Sequence, residues 1–182
     1  MLASDVAGFD ALLTEQTACE QRLAEILPQT PAQVLTSIPG VGVLTASYYG
    51  AALGDAGRFT NADAAYRHSG LAPTSYESAG RRSSTVRISK VGSVELRQAI
   101  IAIGTSIALH HPDFAAYKRR LVDAGKKPIV ATIAVGHRAH RLAFAMLRSQ
   151  QPYQPSRWAD SVGRKHGRSR SVTAANTATQ TT

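Results

Sequence analysis

The chain has 182 residues, of which 43% are hydrophobic and 6% aromatic, enough for one domain with a mainly aliphatic core. Its single cysteine, Cys19, excludes an internal disulfide and a multi-cysteine zinc site. The formal net charge of +9 is unevenly distributed: residues 1–76 carry three basic and seven acidic side chains, whereas residues 77–182 carry 18 and five. A basic excess spread over the second half of the chain predicts a polyanionic partner, above all nucleic acid.

The sequence contains neither a membrane span nor a secretory signal. No apolar run reaches the roughly 20 residues that cross a bilayer. The N-terminus has an early acid, Asp5, and no basic segment in front of an apolar one. We therefore expect a soluble, cytoplasmic protein without a membrane partner.

The first predicted element is an amphipathic helix over residues 5–27, within an N-terminal segment 1–29. Its seam repeats at alternating three- and four-residue spacing, as in a coiled coil, and comprises Phe9, Leu12, Gln16, Cys19, Leu23 and Ile26. The seam is shorter than three heptads, and Gln16 and Cys19 are poor seam residues. Dimerisation and packing against the rest of the domain remain alternatives.

A helical domain is predicted over residues 30–150, and its first part has the pattern of a helix-hairpin-helix. Pro31 begins a short helix, and an apolar helix follows from Val43. Between them lies Gly40-Val41-Gly42, whose glycines permit positive φ and a close approach of another backbone. The N–H groups at the start of the second helix would then bind a phosphate. A plain turn between two helices is the alternative.

The remaining periodicity predicts four more helices and no sustained strand, so we expect an all-α fold. Thr60 or Asn61 caps the first of these helices, Ser93 caps the second, and Pro112 and Pro128 begin the other two. The second carries an apolar stripe of Leu96, Ile100, Ile103 and Ile107. Residues 151–182, rich in Pro, Ser, Arg, Thr and Gln, are expected to form a disordered basic tail.

Residues 70–97 form a polar, cationic segment between two of the predicted helices. It contains eight serines and threonines among Arg81, Arg82, Arg87, Lys90 and Arg97. Such a composition suits phosphate, because the cations neutralise the anion while a hydroxyl hydrogen-bonds or attacks it. A flexible surface loop of no further function is the alternative.

Several serines of this segment compete as a nucleophile, and the residues alone favour Ser78 only slightly. Ser78 precedes Ala79-Gly80, where the chain can bend tightly, and Arg81 and Arg82 follow in position to hold a phosphate. The sequence has no clustered carboxylates of the kind that hold magnesium in nucleases. His137 and His140 have helical spacing, but packing explains them better than a metal site.

Several motifs, read in order, resemble the C-terminal domain of the IS110/IS116/IS902 transposases. The resemblance covers roughly residues 5–148. The motifs are Ile38–Gly42, Arg58-Phe59, Gly70–Pro73, Ser78–Gly80, Ile88–Gly92, Leu96-Arg97 and Gly125–Lys127.

The resemblance implies DNA transposition, a site-specific DNA recombination, with DNA as partner and, for some members, a guide RNA. In that family an N-terminal RuvC-like domain holds magnesium on a DEDD carboxylate set, and a serine of the C-terminal domain links covalently to DNA. That serine corresponds to Ser78. Because many members read Ser-Gly where this chain reads Ser78-Ala79-Gly80, Ser75 is the reserve. The predicted nucleic-acid-binding residues are Gly40, Val41, Gly42, Arg81, Arg82, Arg87, Lys90 and Arg97.

The carboxylate domain is missing from this sequence, so the resemblance implies a truncated or split transposase. We expect it to be inactive alone and to work as a homo-oligomer or with a full-length transposase. Mg²⁺ is expected only in the missing domain, and no cofactor in this chain. A non-catalytic helix-hairpin-helix module and a decayed remnant without selected activity are the alternatives.

Overall fold

The computed structural model describes residues 2–74, 77–78, 81–82 and 87–155. For residues 74, 77–78, 81–82 and 87 of the loop it describes the backbone alone. Ser75, one candidate nucleophile, and residues 156–182 of the predicted tail lie outside the described residues. No described helix combines the length and hydropathy needed to cross a membrane.

The predicted all-α fold is confirmed, and the described strands are four two-residue segments of the loop. The helices are α1 (Leu2–Ile26), α2 (Val43–Leu53), α3 (Ala62–His68), α4 (Val94–His110), α5 (Pro112–Asp123) and α6 (Pro128–Ser149). The strands are β1 (Pro73–Thr74), β2 (Glu77–Ser78), β3 (Arg81–Arg82) and β4 (Arg87–Ile88). Short 3₁₀ helices cover Leu27–Gln29, Pro31–Ser37 and Ala56–Arg58.

The core lies between α4 and α6, with α2, α3 and α5 packed around this pair. The predicted stripe of α4 is completely buried. Two glycines permit the close crossing of the two helices, since a Cβ on Gly104 would lie 2.5 Å from Gly136 Cα. Close helix packing of this kind leaves no room for an added methyl group. In the first turn of α6, Ile129 and Val130 are exposed.

Side-chain caps fix where α3 and α4 begin. Asn61, rather than Thr60, caps α3, and its Oδ1 accepts a hydrogen bond of 2.9 Å from Ala64 N. Ser93 Oγ accepts one of 3.0 Å from Leu96 N at the start of α4. Such caps satisfy backbone N–H groups that have no partner inside the helix. The Ser93 cap therefore fixes where the polar loop passes into α4.

Helix α1 has 25 residues and is almost wholly exposed from Asp5 onward. Phe9 and Leu12 are 61% and 65% exposed, and only the C-terminal end of the helix contacts the described domain. The helix itself is therefore as predicted. The alternative that the seam packs against the domain does not apply to its residues from Phe9 to Cys19, because they are exposed to solvent and no described residue covers them.

The folded part extends a few residues past α6, into the beginning of the predicted tail. Tyr153 N donates to Ser37 Oγ at 2.8 Å, and the Tyr153 hydroxyl makes a short hydrogen bond with His111 Nε2. Tyr153 thus lies against the helical domain.

Candidate nucleic-acid site

The two ends of the polar loop are joined at its base by backbone hydrogen bonds. Lys90 N donates to Gly70 O at 2.9 Å, and Ser93 N donates to His68 O at 2.9 Å. The two segments of backbone approach so closely that a Cβ added to Gly92 would lie 2.1 Å from His68 O. Gly92 also has a φ of +129°, which side-chain-bearing residues rarely adopt. The sequence therefore builds a fixed base for the loop, formed by residues 68–70 and 90–93.

Arg97 strengthens this base. Its Nη1 donates to Ser69 O and to Lys90 O, each at 3.2 Å, so one guanidinium bridges the two ends of the loop. Lys90 has a φ of +57°, and its side chain is exposed. Of these two predicted binding residues, Lys90 has an exposed side chain. Arg97 donates hydrogen bonds within the protein through Nη1.

Two short antiparallel ladders pair the described strands of the loop. β1 pairs with β4, which places Thr74 opposite Arg87. β2 pairs with β3, which places Ser78 opposite Arg81 and Glu77 opposite Arg82. Residues paired in this way are direct cross-strand neighbours. The register thus brings the predicted nucleophile next to a predicted phosphate-binding arginine.

The Gly40-Val41-Gly42 segment divides into a packed part and an open part. Gly40 has a φ of +90°, and a Cβ there would lie 2.8 Å from Ser106 O, so α4 is the close neighbour that its small size permits. Val41 is buried, and its N–H donates to Ile38 O at 3.0 Å. Gly42 is exposed, and a Cβ added to it would meet no other atom within 4 Å. Gly42 is therefore the open member of the motif.

Gly42 is also the N-cap of α2, and no side chain caps that helix. The first backbone N–H groups of a helix have no intrahelical partner and form a natural anion site. The segment before the turn is a 3₁₀ helix, Pro31–Ser37, in place of the first α-helix of a helix-hairpin-helix. Thr36 and Ser37 favour this tighter form, because their hydroxyls bond carbonyls three residues back, on Gln33 and Val34.

His140 is buried and fully hydrogen-bonded, as expected for a packing residue. Its Nε2 lies 2.8 Å from Ala62 O and its Nδ1 lies 2.8 Å from the Tyr49 hydroxyl. Because a carbonyl only accepts, Nε2 carries the proton and Nδ1 accepts from Tyr49. Burial lowers the pKa of His140 to about 4 and raises the pKa of Tyr49 far above its ordinary value. Both groups are neutral near pH 7.

His137 lies at the edge of the same cluster. Its Nε2 is 3.6 Å from Asp63 Oδ1, and its ring stacks on Tyr66 with the centroids 4.3 Å apart. Burial lowers its pKa, and the Asp63 carboxylate partly offsets that effect. Among the described residues no three His, Cys, Asp or Glu side chains are grouped as metal ligands. The contact between Tyr49 and His140 joins residues 91 positions apart and had no signal in the sequence.

The chain is similar to proteins of bacterial mobile and invertible DNA elements. It is 25% identical over 143 residues to the pilin gene-inverting protein of Moraxella bovis, covering 75% of this chain and 44% of that protein. It is 28% identical over 155 residues to the insertion element IS110 43.6 kDa protein of Streptomyces coelicolor, covering 85% of this chain and 38% of that one. The insertion element IS900 42 kDa protein of Mycobacterium paratuberculosis is 28% identical over 157 residues, with the same coverage.

The chain thus spans less than half the length of these relatives. The match to the family itself covers residues 32–119, from the segment before α2 through the polar loop and α4 into α5. This match confirms the resemblance, predicted from the ordered motifs, to the transposase IS116/IS110/IS902 family.

Proposed function

We propose that the chain is a DNA-binding, serine-bearing part of a transposase, and that Ser78 is the nucleophile of strand cleavage. The observation that supports this proposal most directly is the ladder that pairs Ser78 with Arg81. The ladder belongs to a loop whose base is closed by contacts of Gly70, Gly92 and Arg97. The match of residues 32–119 to the transposase family supports a role in rearranging DNA. The name of the Moraxella relative, a gene-inverting protein, supports recombination at defined sites.

In the proposed step the Ser78 hydroxyl attacks the scissile phosphorus. A serine–phosphate bond forms while the bond from phosphorus to one deoxyribose oxygen breaks; serine loses a proton and the leaving oxygen gains one. Cations beside the phosphate stabilise the negative charge that develops in the transition state. We assign this role to Arg81 and Arg82, with Arg87 and Lys90 at the base of the loop.

The described residues do not supply a magnesium site. They contain no group of three or more carboxylate, histidine or cysteine side chains, so no step is assigned to a metal here. We propose that the carboxylates and Mg²⁺ act from a domain in another polypeptide or another segment, since the matches cover only 44% and 38% of these two relatives. A guide RNA as a further partner remains a prediction from the resemblance.

The experiment is the detection of a denaturation-resistant protein–DNA adduct. The chain is mixed with a family protein that supplies the carboxylate domain and with a plasmid that carries the chain's own gene and its flanking DNA. We expect the wild type and the matched Ser75→Ala variant to form the adduct and Ser78→Ala to form none. An adduct with Ser78→Ala would refute the assignment, and loss with Ser75→Ala alone would transfer it to the reserve serine.

A non-catalytic phosphate-binding module is the second candidate, and the open N-terminus of α2 at Gly42 favours it. Such a module would bind DNA through the backbone N–H groups there, with no need for Ser78. Its affinity would fall with salt and vary little with sequence.

We further propose that α1 joins two copies of the chain as a coiled coil. Its seam is exposed, and an isolated helix of 25 residues gains little stability in water without a partner. The seam leads into an apolar cavity of about 490 Å³ to which Leu23 and Ile26 both belong. This cavity extends the apolar surface available to the second copy.

A further inference from the structure

The corner between α5 and α6 gathers positive charge apart from the polar loop. Between residues 114 and 150 the sequence has eight lysines and arginines and one acid, Asp123. Six of the cations lie on this corner, which we call the α5–α6 surface: Lys118, Arg119, Arg120, Lys126, Lys127 and Arg138. Among the described residues, the first five have no carboxylate within 4 Å.

A tyrosine fixes part of this surface. Tyr117 packs against the core, and its ring centroid lies 4.0 Å from Arg138 Cζ and 5.4 Å from Arg120 Cζ. Two guanidiniums from different helices are thus held beside one ring by cation–π attraction. Because the two like charges are already oriented, an anion that binds between them loses little side-chain entropy.

Helix electrostatics explains only some of these six cations. Arg119 and Arg120 lie near the C-terminus of α5, where positive charge is favourable. Lys126 and Lys127 directly precede α6, whose N-terminus carries the positive end of the helix dipole. Lys127, the N-cap of α6, opposes that dipole, whereas Lys126 also follows the C-terminus of α5, so helix electrostatics leaves Lys127 without a stabilising role in the fold. A bound anion would remove the conflict.

We propose that the α5–α6 surface binds the phosphate backbone of duplex DNA, as a second contact beside the polar loop. The partner follows from the proposed function, on which this inference rests: a chain that acts on DNA and holds five of these cations with no described carboxylate within 4 Å has a polyanion as its natural ligand. Several cations spread over two helices suit a run of phosphates better than a single small anion. The surface sets affinity and orientation and reads no sequence.

The test compares two triple variants that remove the same charge. Arg119→Gln/Lys126→Gln/Lys127→Gln changes the surface, and Arg22→Gln/Arg58→Gln/Arg67→Gln removes the three basic residues of the acidic N-terminal part. Binding of the full chain to a duplex of arbitrary sequence is followed by fluorescence anisotropy between roughly 50 and 200 mM salt. The logarithmic salt slope is expected to fall by about two to three for the surface variant and by less than one for the control.

Thermal unfolding checks that the fold is kept, and the surface variant is expected to melt no lower than the wild type because it relieves the α6 dipole. Equal changes of slope in the two variants, or no change in either, would overturn the proposal. So would a surface variant that loses binding to phosphatidylserine vesicles while keeping its binding to DNA. Ser78→Ala should keep the wild-type slope, so a failed adduct experiment leaves this test unaffected.

Discussion

At the scale of single residues, the contacts of one buried cluster explain the role of His140. His140 could have been a metal ligand by sequence spacing, but both of its ring nitrogens are occupied, by Tyr49 and by Ala62 O. Burial holds it neutral, and Tyr66 and Phe144 pack around it. Its contribution is therefore to the stability of the contact between α2, α3 and α6.

This cluster predicts how stability depends on pH. His140 has a pKa of about 4 in the folded chain and about 6.5 when unfolded, so the unfolded state binds more protons between these values. The stabilisation is complete above pH 6.5 and is lost as the pH falls toward 4, by an amount on the order of 3 kcal/mol. Urea unfolding at a series of pH values measures this loss in the free energy of unfolding.

The matched variant is His140→Gln, whose amide can both donate to Ala62 O and accept from Tyr49. It should be less stable at pH 7 and lose less stability than the wild type from pH 6.5 to 4. His137 is present in both proteins, so its own lowered pKa is common to the two curves. The same decline in both proteins would contradict the assigned protonation state.

At the scale of elements, the start of α2 combines a structural and an open glycine. Gly40 is required by its φ and by the approach of α4, so replacing it tests the fold rather than binding. Gly42 has ordinary backbone angles and open surroundings, so it accepts a side chain. It is the position at which phosphate binding can be tested without loss of structure.

Gly42→Asp is expected to keep or raise the stability of α2 and to weaken DNA binding. Aspartate is a favourable N-cap, while its charge repels a phosphate from the N–H groups of the first turn. Gly42→Asn is the control, because asparagine caps about equally well and carries no charge. Melting temperature and DNA affinity of both variants give the answer. If Asp and Asn bind DNA equally well, phosphate does not bind at this helix terminus.

At the scale of the whole molecule, local signals predicted the elements and missed the contacts between them. The Ser93 cap, the Leu96–Ile107 stripe and the prolines at 112 and 128 were sufficient to place α4, α5 and α6. The two small ladders of the loop were not predicted, since two-residue strands have no periodicity to detect. Arg97 as a bridge and Arg138 beside Tyr117 depend on tertiary packing and so have no local signature.

Self-association through α1 also belongs to this scale. Phe9→Ser/Leu12→Ser removes two large seam residues, whereas Ala11→Ser/Ala18→Ser introduces the same two serines off the seam. Sedimentation equilibrium should find dimers for the wild type and for the control, and monomers for the seam variant, because a coiled coil depends on its apolar seam. A monomeric wild type at every concentration would rule out the proposed coiled coil.

The central claim is that Ser78 is the residue that links to DNA. The most direct measurement is to digest the wild-type adduct with nuclease and protease and to locate the nucleotide remnant by peptide mass spectrometry. Our account predicts the remnant on Ser78, opposite Arg81 in the ladder. A remnant on Ser75 or on any other residue would contradict it.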